Sequence, residues 1–140
     1  MSVVVDASVA VKWFVEEPLW EEAKRLVERR ETLYAPDLLF AEVTNAAWKM
    51  VRRNEIDRAQ AITMVAAVGD PLSRVFPSSQ LRDRALQIAL ALGHPVYDCL
   101  YLACAELAGA VLVTADARLC TAVADGPYAG LARHLSEVTA

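Results

Sequence analysis

Four carboxylates in this 140-residue chain stand among apolar neighbours. Asp6 ends the run Val3, Val4, Val5, and Asp116 follows Val111, Leu112, Val113 and Thr114 by two positions. Glu42 lies between Leu38–Ala41 and Val43, and Asp98 lies within Val96–Leu102. An isolated carboxylate drawn into such surroundings loses several kcal/mol of hydration unless it is paired, hydrogen-bonded, protonated or metal-bound. Taken singly, each acid has a structural role open to it. Asp6 and Asp116 can cap helices, Asp98 can sit on a helix dipole, and Glu42 can face solvent. Brought together, the four would repel one another and raise their own pKa values unless a hard divalent cation neutralised them. Oxygen-only ligands favour Mg²⁺ or Mn²⁺ over Zn²⁺, and such ions suit phosphoryl chemistry.

The elements that must position these acids alternate between short β-rich runs and helical patterns, which predicts a parallel sheet with helices on its faces. Strands are expected at Ser2–Val5, Leu33–Ala35, Arg74–Phe76, Val111–Val113 and, at an edge, near His134–Val138. Pro18 opens a helix with Ala23, Leu26 and Val27 inward and an exposed Glu21–Arg25 pair; Pro36 opens a long one to about Arg53. Asn54 separates that helix from another at Ile56–Ala67. Ser78 or Ser79 caps the next, whose stripe is Leu81, Ala85, Ile88 and Leu92, ending at Gly93. Pro95 begins an apolar helix to Ala108, and a short helix follows Asp116. The expectation is a single α/β domain over residues 1–140, in three α/β/α layers around a central parallel sheet of about five short strands. In such sheets ligands bind beyond the carboxyl ends of the strands, at the switch in strand order. Asp6, Asp98 and Asp116 all fall on that edge, and Glu42 can reach over it.

Composition narrows the function. The chain is 56% hydrophobic with a net charge of −4, which excludes disorder and a basic nucleic-acid-binding tail. Without the four acids, 14 acidic and 14 basic side chains remain. A nucleic-acid substrate is therefore compatible with the charge, although non-specific backbone binding should be weak. Lys12, Lys49, Arg52, Arg53, Arg82 and Arg84 are the candidate phosphate contacts. No apolar run approaches the roughly 20 residues of a membrane span, so no membrane partner is expected. Cys99, Cys104 and Cys120 show no metal-ligand spacing and read as buried thiols of a reducing cytoplasm. His94 and His134 are far apart and read as structural.

The residues match a known family in order and spacing. Val4-Val5-Asp6-Ala7-Ser8, Ala35-Pro36-Asp37 through Glu42 to Asn45, Gly93-His94-Pro95 through Asp98 to Ala103, and Leu112-Val113-Thr114-Ala115-Asp116 together resemble a PIN-domain ribonuclease of the VapC toxin type. The resemblance implies a Mg²⁺- or Mn²⁺-dependent endoribonuclease, the toxin component of a type II toxin–antitoxin system. Asp6 and Asp98 would hold the principal metal, with Asp116 and Glu42 completing the site and Glu42 able to orient the attacking water. Ser8, Thr114 and Asn45 would support these acids. It also implies a homodimer, an RNA substrate and a VapB-type antitoxin whose C-terminal segment occupies an apolar groove; Trp13, Phe14, Trp20 and Trp48 are candidates for groove or dimer contacts.

Other readings fit less well. A haloacid-dehalogenase-type phosphatase needs a second acid at position 8, which is Ser8. A response-regulator receiver needs adjacent acids after the first strand and a late lysine; Ala7 follows Asp6, and Lys49 is the last lysine. The competing class is a catalytically silent PIN-fold module that binds RNA or protein, against which the retention of all four acids weighs.

Overall fold

A computed structural model describes residues 1–138. Its framework is a five-stranded, wholly parallel sheet of β1 (Ser2–Val5), β2 (Thr32–Pro36), β3 (Arg74–Phe76), β4 (Val111–Thr114) and β5 (Ala132–His134), in the spatial order β3-β2-β1-β4-β5. The chain builds outward from β1 through β2 to β3, then returns to add β4 and β5 on the opposite side. The switch point thus lies between β1 and β4, where Val5 pairs with Val113.

The helices are α1 (Ala7–Ala10), α2 (Trp20–Glu28), α3 (Leu38–Arg52), α4 (Arg58–Ala67), α5 (Ser78–Leu92), α6 (Val96–Ala108) and α7 (Ala117–Val123). Two apolar clusters sandwich the sheet. Val4, Ala35 and Leu112 pack with α3, α4, α5 and α6, while Val3, Val5, Leu33 and Val113 pack with Ala23 and Leu26 of α2 and with Leu135. Alternate residues of one strand feed opposite clusters, and for this reason β1 is an unbroken run of valines. The three-layer architecture expected from the alternation is present. Among the described residues, no single helix is long and apolar enough to cross a membrane.

Local chemistry explains most boundaries. Asn54 adopts a left-handed φ of 57° after α3, a conformation asparagine tolerates better than most residues. Asp57 and Gln60 form a reciprocal capping box that starts α4 two residues later than the apolar pattern suggested, leaving Ile56 buried ahead of the helix. Gly93 ends α5 at a φ of 65°.

Four local expectations change. Neither Ser78 nor Ser79 caps α5, because Pro77 holds the cap position; instead the Ser78 amide and hydroxyl both donate to Asp37 Oδ1, at 3.1 and 2.5 Å. Arg25 leaves Glu21 for Glu22 at 3.6 Å, and also donates to the Val138 carbonyl. Val27 is exposed rather than inward, since α2 turns only Ala23 and Leu26 fully to the sheet. The last strand is Ala132–His134, and the chain then tightens into a 3₁₀ turn at Leu135–Glu137 that buries Leu135.

Candidate active site

Asp6 leaves β1 at the switch point and is 8% exposed. Its Oδ1 caps α1 by accepting from the Val9 amide at 3.2 Å and from Ser8 Oγ at 2.5 Å, while Oδ2 accepts from the Thr114 hydroxyl. Both hydroxyls are themselves held from β4. The Ala115 amide donates to Ser8 Oγ at 3.0 Å, and the Asp116 amide donates to Thr114 Oγ1 at 3.0 Å. Two backbone amides, two hydroxyls and one carboxylate therefore stitch the ends of β1 and β4 together. The supporting roles of Ser8 and Thr114 are hydrogen bonds to one acid.

Burial pushes the Asp6 carboxyl up to about 6; the hydrogen bonds from Ser8, Thr114 and Val9 pull it down, and the nearby charge of Glu42 pushes it up again. Glu42, half-buried on α3, is likewise raised by burial and by the charge of Asp98, against the lowering effect of a hydrogen bond from Tyr101. The charge of Asp98 on α6 thus acts on Glu42 of α3, and that of Glu42 on Asp6 at the end of β1. Asp116 is exposed at the start of α7, and its Oδ1 accepts from the Arg118 amide at 2.9 Å; the Cys120 thiol is raised first by burial and then by the charges of Glu137, Asp116 and Asp6. The capping roles open to Asp6 and Asp116 are both realised.

Two contacts were not foreseen. Tyr101, 2% exposed on α6, donates its phenol to Glu42 Oε1 at 2.5 Å. His94 Nε2 lies 2.6 Å from Asp98 Oδ2, which corrects its reading as an isolated structural residue. The second pair joins residues only four apart in sequence, with His94 just ahead of the Pro95 cap and Asp98 in the first turn of α6. The first had none, because 59 residues separate its partners. His134 does serve structure: Nδ1 accepts from the Ser136 amide and Nε2 donates to the Ala115 carbonyl. Asn45 is exposed and joins no hydrogen bond among the described residues. Cys99 and Cys104 are free and buried, their thiols pushed up to about 11 and about 12 by burial.

Among the described residues, no group of three or more His, Cys, Asp or Glu side chains is placed to hold a metal ion. Glu42 is turned to Tyr101 and Asp98 to His94, while Asp6 faces its two hydroxyls. The donor chemistry nonetheless fits a hard divalent cation. All four acids are oxygen donors, the charge of Glu42 raises Asp6 and that of Asp98 raises Glu42, and no described lysine or arginine forms an ion pair with any of them. Buried Lys12, the cation nearest in sequence to Asp6, is spent on Glu17 at 2.9 Å.

The Tyr101 contact can be measured directly. Tyr101→Phe keeps the buried ring and removes one donor to a carboxylate, a bond of about 1.5–3 kcal/mol. The Glu42 midpoint in a carbon-13 NMR titration should rise, because the bond that favours the ionised form is gone. An unmoved midpoint would show that the bond does not form in solution.

A five-stranded parallel sheet with a buried acid, Asp6, at its switch point and the charge of Glu42 acting on it is the frame of a PIN-type domain. The model of the PIN domain family matches residues 3–124, and the chain belongs to that family. Ribonuclease VapC3 of Pyrobaculum aerophilum is 34% identical over 121 residues, spanning 85% of this chain and 92% of that protein. The crystal structure of PAE2754, also from Pyrobaculum aerophilum, superposes with a TM-score of 0.73 at 27% identity, covering 97% of this chain and 85% of that one. The structure of VapBC2 from Rickettsia felis bound to a DNA fragment from its promoter shares the fold, with a TM-score of 0.68 at 14% identity over 96% of this chain and 98% of that chain. The chain is a homologue of the VapC ribonucleases.

Proposed function

We propose that this protein is a Mg²⁺- or Mn²⁺-dependent endoribonuclease, the toxin of a type II toxin–antitoxin pair. The observation that carries the reading is the buried Asp6 carboxylate at the switch point, coupled to Glu42 and paired with no cation of the chain. Asp6 and Asp98 would hold the ion, with Glu42 and Asp116 completing its surroundings. When bound, a divalent cation lowers the pKa of water and stabilises charge on a transferring phosphoryl group. The chain's own residues do the rest. Ser8 and Thr114 fix both oxygens of Asp6, and Tyr101 holds one oxygen of Glu42, leaving the other free to orient water for attack on phosphorus. His94 restrains Asp98 in the same manner. Homology to VapC3 and the fold shared with VapBC2 support a VapB-type antitoxin as partner. The reading further holds the toxin to be a homodimer working in the cytoplasm.

Incubation of purified protein with structured RNA tests the reading. Cleavage should require Mn²⁺ or Mg²⁺, stop on addition of EDTA, and fall below detection in Asp98→Asn. Cleavage that survives chelation would remove the metal mechanism. A wild-type protein that binds RNA with metal present and never cuts it would instead be a silent PIN-fold binding module.

A further inference from the structure

The face of α3 that carries Glu42 continues well past the acid edge. Asn45, Lys49 and Arg53 follow Glu42 at intervals of three, four and four, so all four side chains fall on one stripe of the helix and its C-cap. Asn45, Lys49 and Arg53 are exposed, and neither cation has an acidic partner among the described residues. Beside the stripe, one turn apart, stand Trp48 and Arg52. Trp48 is 54% exposed, high for a tryptophan, and the Arg52 guanidinium lies 4.9 Å from its ring centroid. Trp48, Lys49, Arg52 and Arg53 together line a surface hollow of about 300 Å³. Arg58 at the start of α4 is also exposed and unpaired. Asp57, the nearest acid to it in sequence, is committed to the amide of Gln60, and Glu55 makes no ion pair with any of these cations.

On a chain whose charge outside the four acids is balanced, this is a local surplus of cations around an exposed aromatic ring. It also lies on the same helix face as the proposed centre. Lys49 with free ammonium donors and Arg53 with a planar fork suit phosphate oxygens, and an exposed indole suits a nucleobase. At 1.5 Å per residue, Arg53 lies about 16 Å along the helix from Glu42, about five nucleotides at the duplex rise of roughly 3.4 Å and fewer in an extended strand. We propose that this stripe of α3 is a binding track for single-stranded RNA flanking the cleaved bond. Lys49 and Arg53 take phosphates, Trp48 backed by Arg52 stacks a base, and Asn45 bridges from the track to the acid edge. The track deepens the ribonuclease reading and rests on it for the identity of the strand.

Fluorescence anisotropy of a fluorescein-labelled single-stranded RNA of about a dozen nucleotides, with Ca²⁺ in place of Mg²⁺, tests the track across a series of salt concentrations. The double variant Lys49→Ala/Arg53→Ala removes two phosphate contacts. The slope of log affinity against log salt should fall by about 1.4, with affinity about tenfold lower at moderate salt. Trp48→Ala should weaken binding without changing the slope. Lys24→Ala/Arg133→Ala, which removes the same charge from α2 and the exposed face of β5, should leave the slope as it was; melting curves verify that each variant is folded. An unchanged slope in Lys49→Ala/Arg53→Ala, or an equal change in the control pair, overturns the proposal. So does a change of oligomeric state with RNA affinity intact, which would make the face a protein contact, or a wild-type protein that does not bind the RNA. Cleavage assays separate the two readings. A wild type that cuts RNA while the variant keeps its slope sinks the track alone; a wild type that never cuts, with binding lost in the variant, sinks the ribonuclease and keeps the track.

Discussion

Asp6→Asn should make the metal-free protein more stable and the enzyme inactive. Burial and the charge of Glu42 raise the Asp6 carboxyl from 3.8 to about 6, so ionising it inside the fold is costly. The sign follows from linkage. A carboxyl whose folded pKa is raised contributes its full stability below 3.8, loses it as pH climbs, and has lost it once pH passes about 6. At pH 7.5 the loss is on the order of 3 kcal/mol. Asparagine has the same shape and carries no charge, so urea denaturation at pH 7.5 should show a gain of about 1–3 kcal/mol, shrinking toward zero near pH 4. Cleavage should meanwhile drop about a thousandfold or more, because an ion held through Asp6 accounts for several kcal/mol of transition-state stabilisation. A variant that is less stable at pH 7.5, or that cuts RNA at the wild-type rate, would show that Asp6 is a structural cap and nothing more.

The same raised carboxyl makes cation binding depend on pH. Above about 6, Asp6 is ionised and unpaired, and Mn²⁺ relieves the repulsion that destabilises the fold; below it, the cation must displace a proton. Mn²⁺ should therefore raise the melting temperature strongly at pH 7.5 and little at pH 5, with Kd from calorimetry weakening about tenfold per pH unit below 6. Without metal the trend is opposite, and melting temperature should fall between pH 4 and 6 as Asp6 charges. Equal Mn²⁺ protection at pH 5 and pH 7.5 would place the ion away from Asp6. In Asp6→Asn the pH dependence of Mn²⁺ protection should flatten, which ties both experiments to one group.

The four acids were legible because each interrupts an apolar run, and hydration cost makes such interruptions conspicuous whatever the fold. Ser8 and Thr114 were legible by adjacency to them. Tyr101 was not: within its own helix a tyrosine in an apolar stretch reads as packing, and only the approach of α3 to α6 brings its phenol to Glu42. His94 was passed over because it lies outside α6, ahead of the Pro95 cap, where no helix-face spacing points it to Asp98. The cap of α5 was misread for a similar reason. Its acceptor, Asp37, comes from 41 residues away, and no local pattern points to it.

What the amino-acid order determines by itself is what short-range physics can enforce. Valine runs become strands covered on both faces, Asn54 and Gly93 end helices because of the backbone conformations they permit, and carboxylates in apolar runs stand out as the proposed centre. Only the tertiary structure decides which side chains restrain those acids and where the spare cations lie relative to them. Hydrogen bonds and Coulomb forces act through space over a few ångströms, and the folding of β1 against β4 and of α3 against α6 sets those distances between residues remote in sequence.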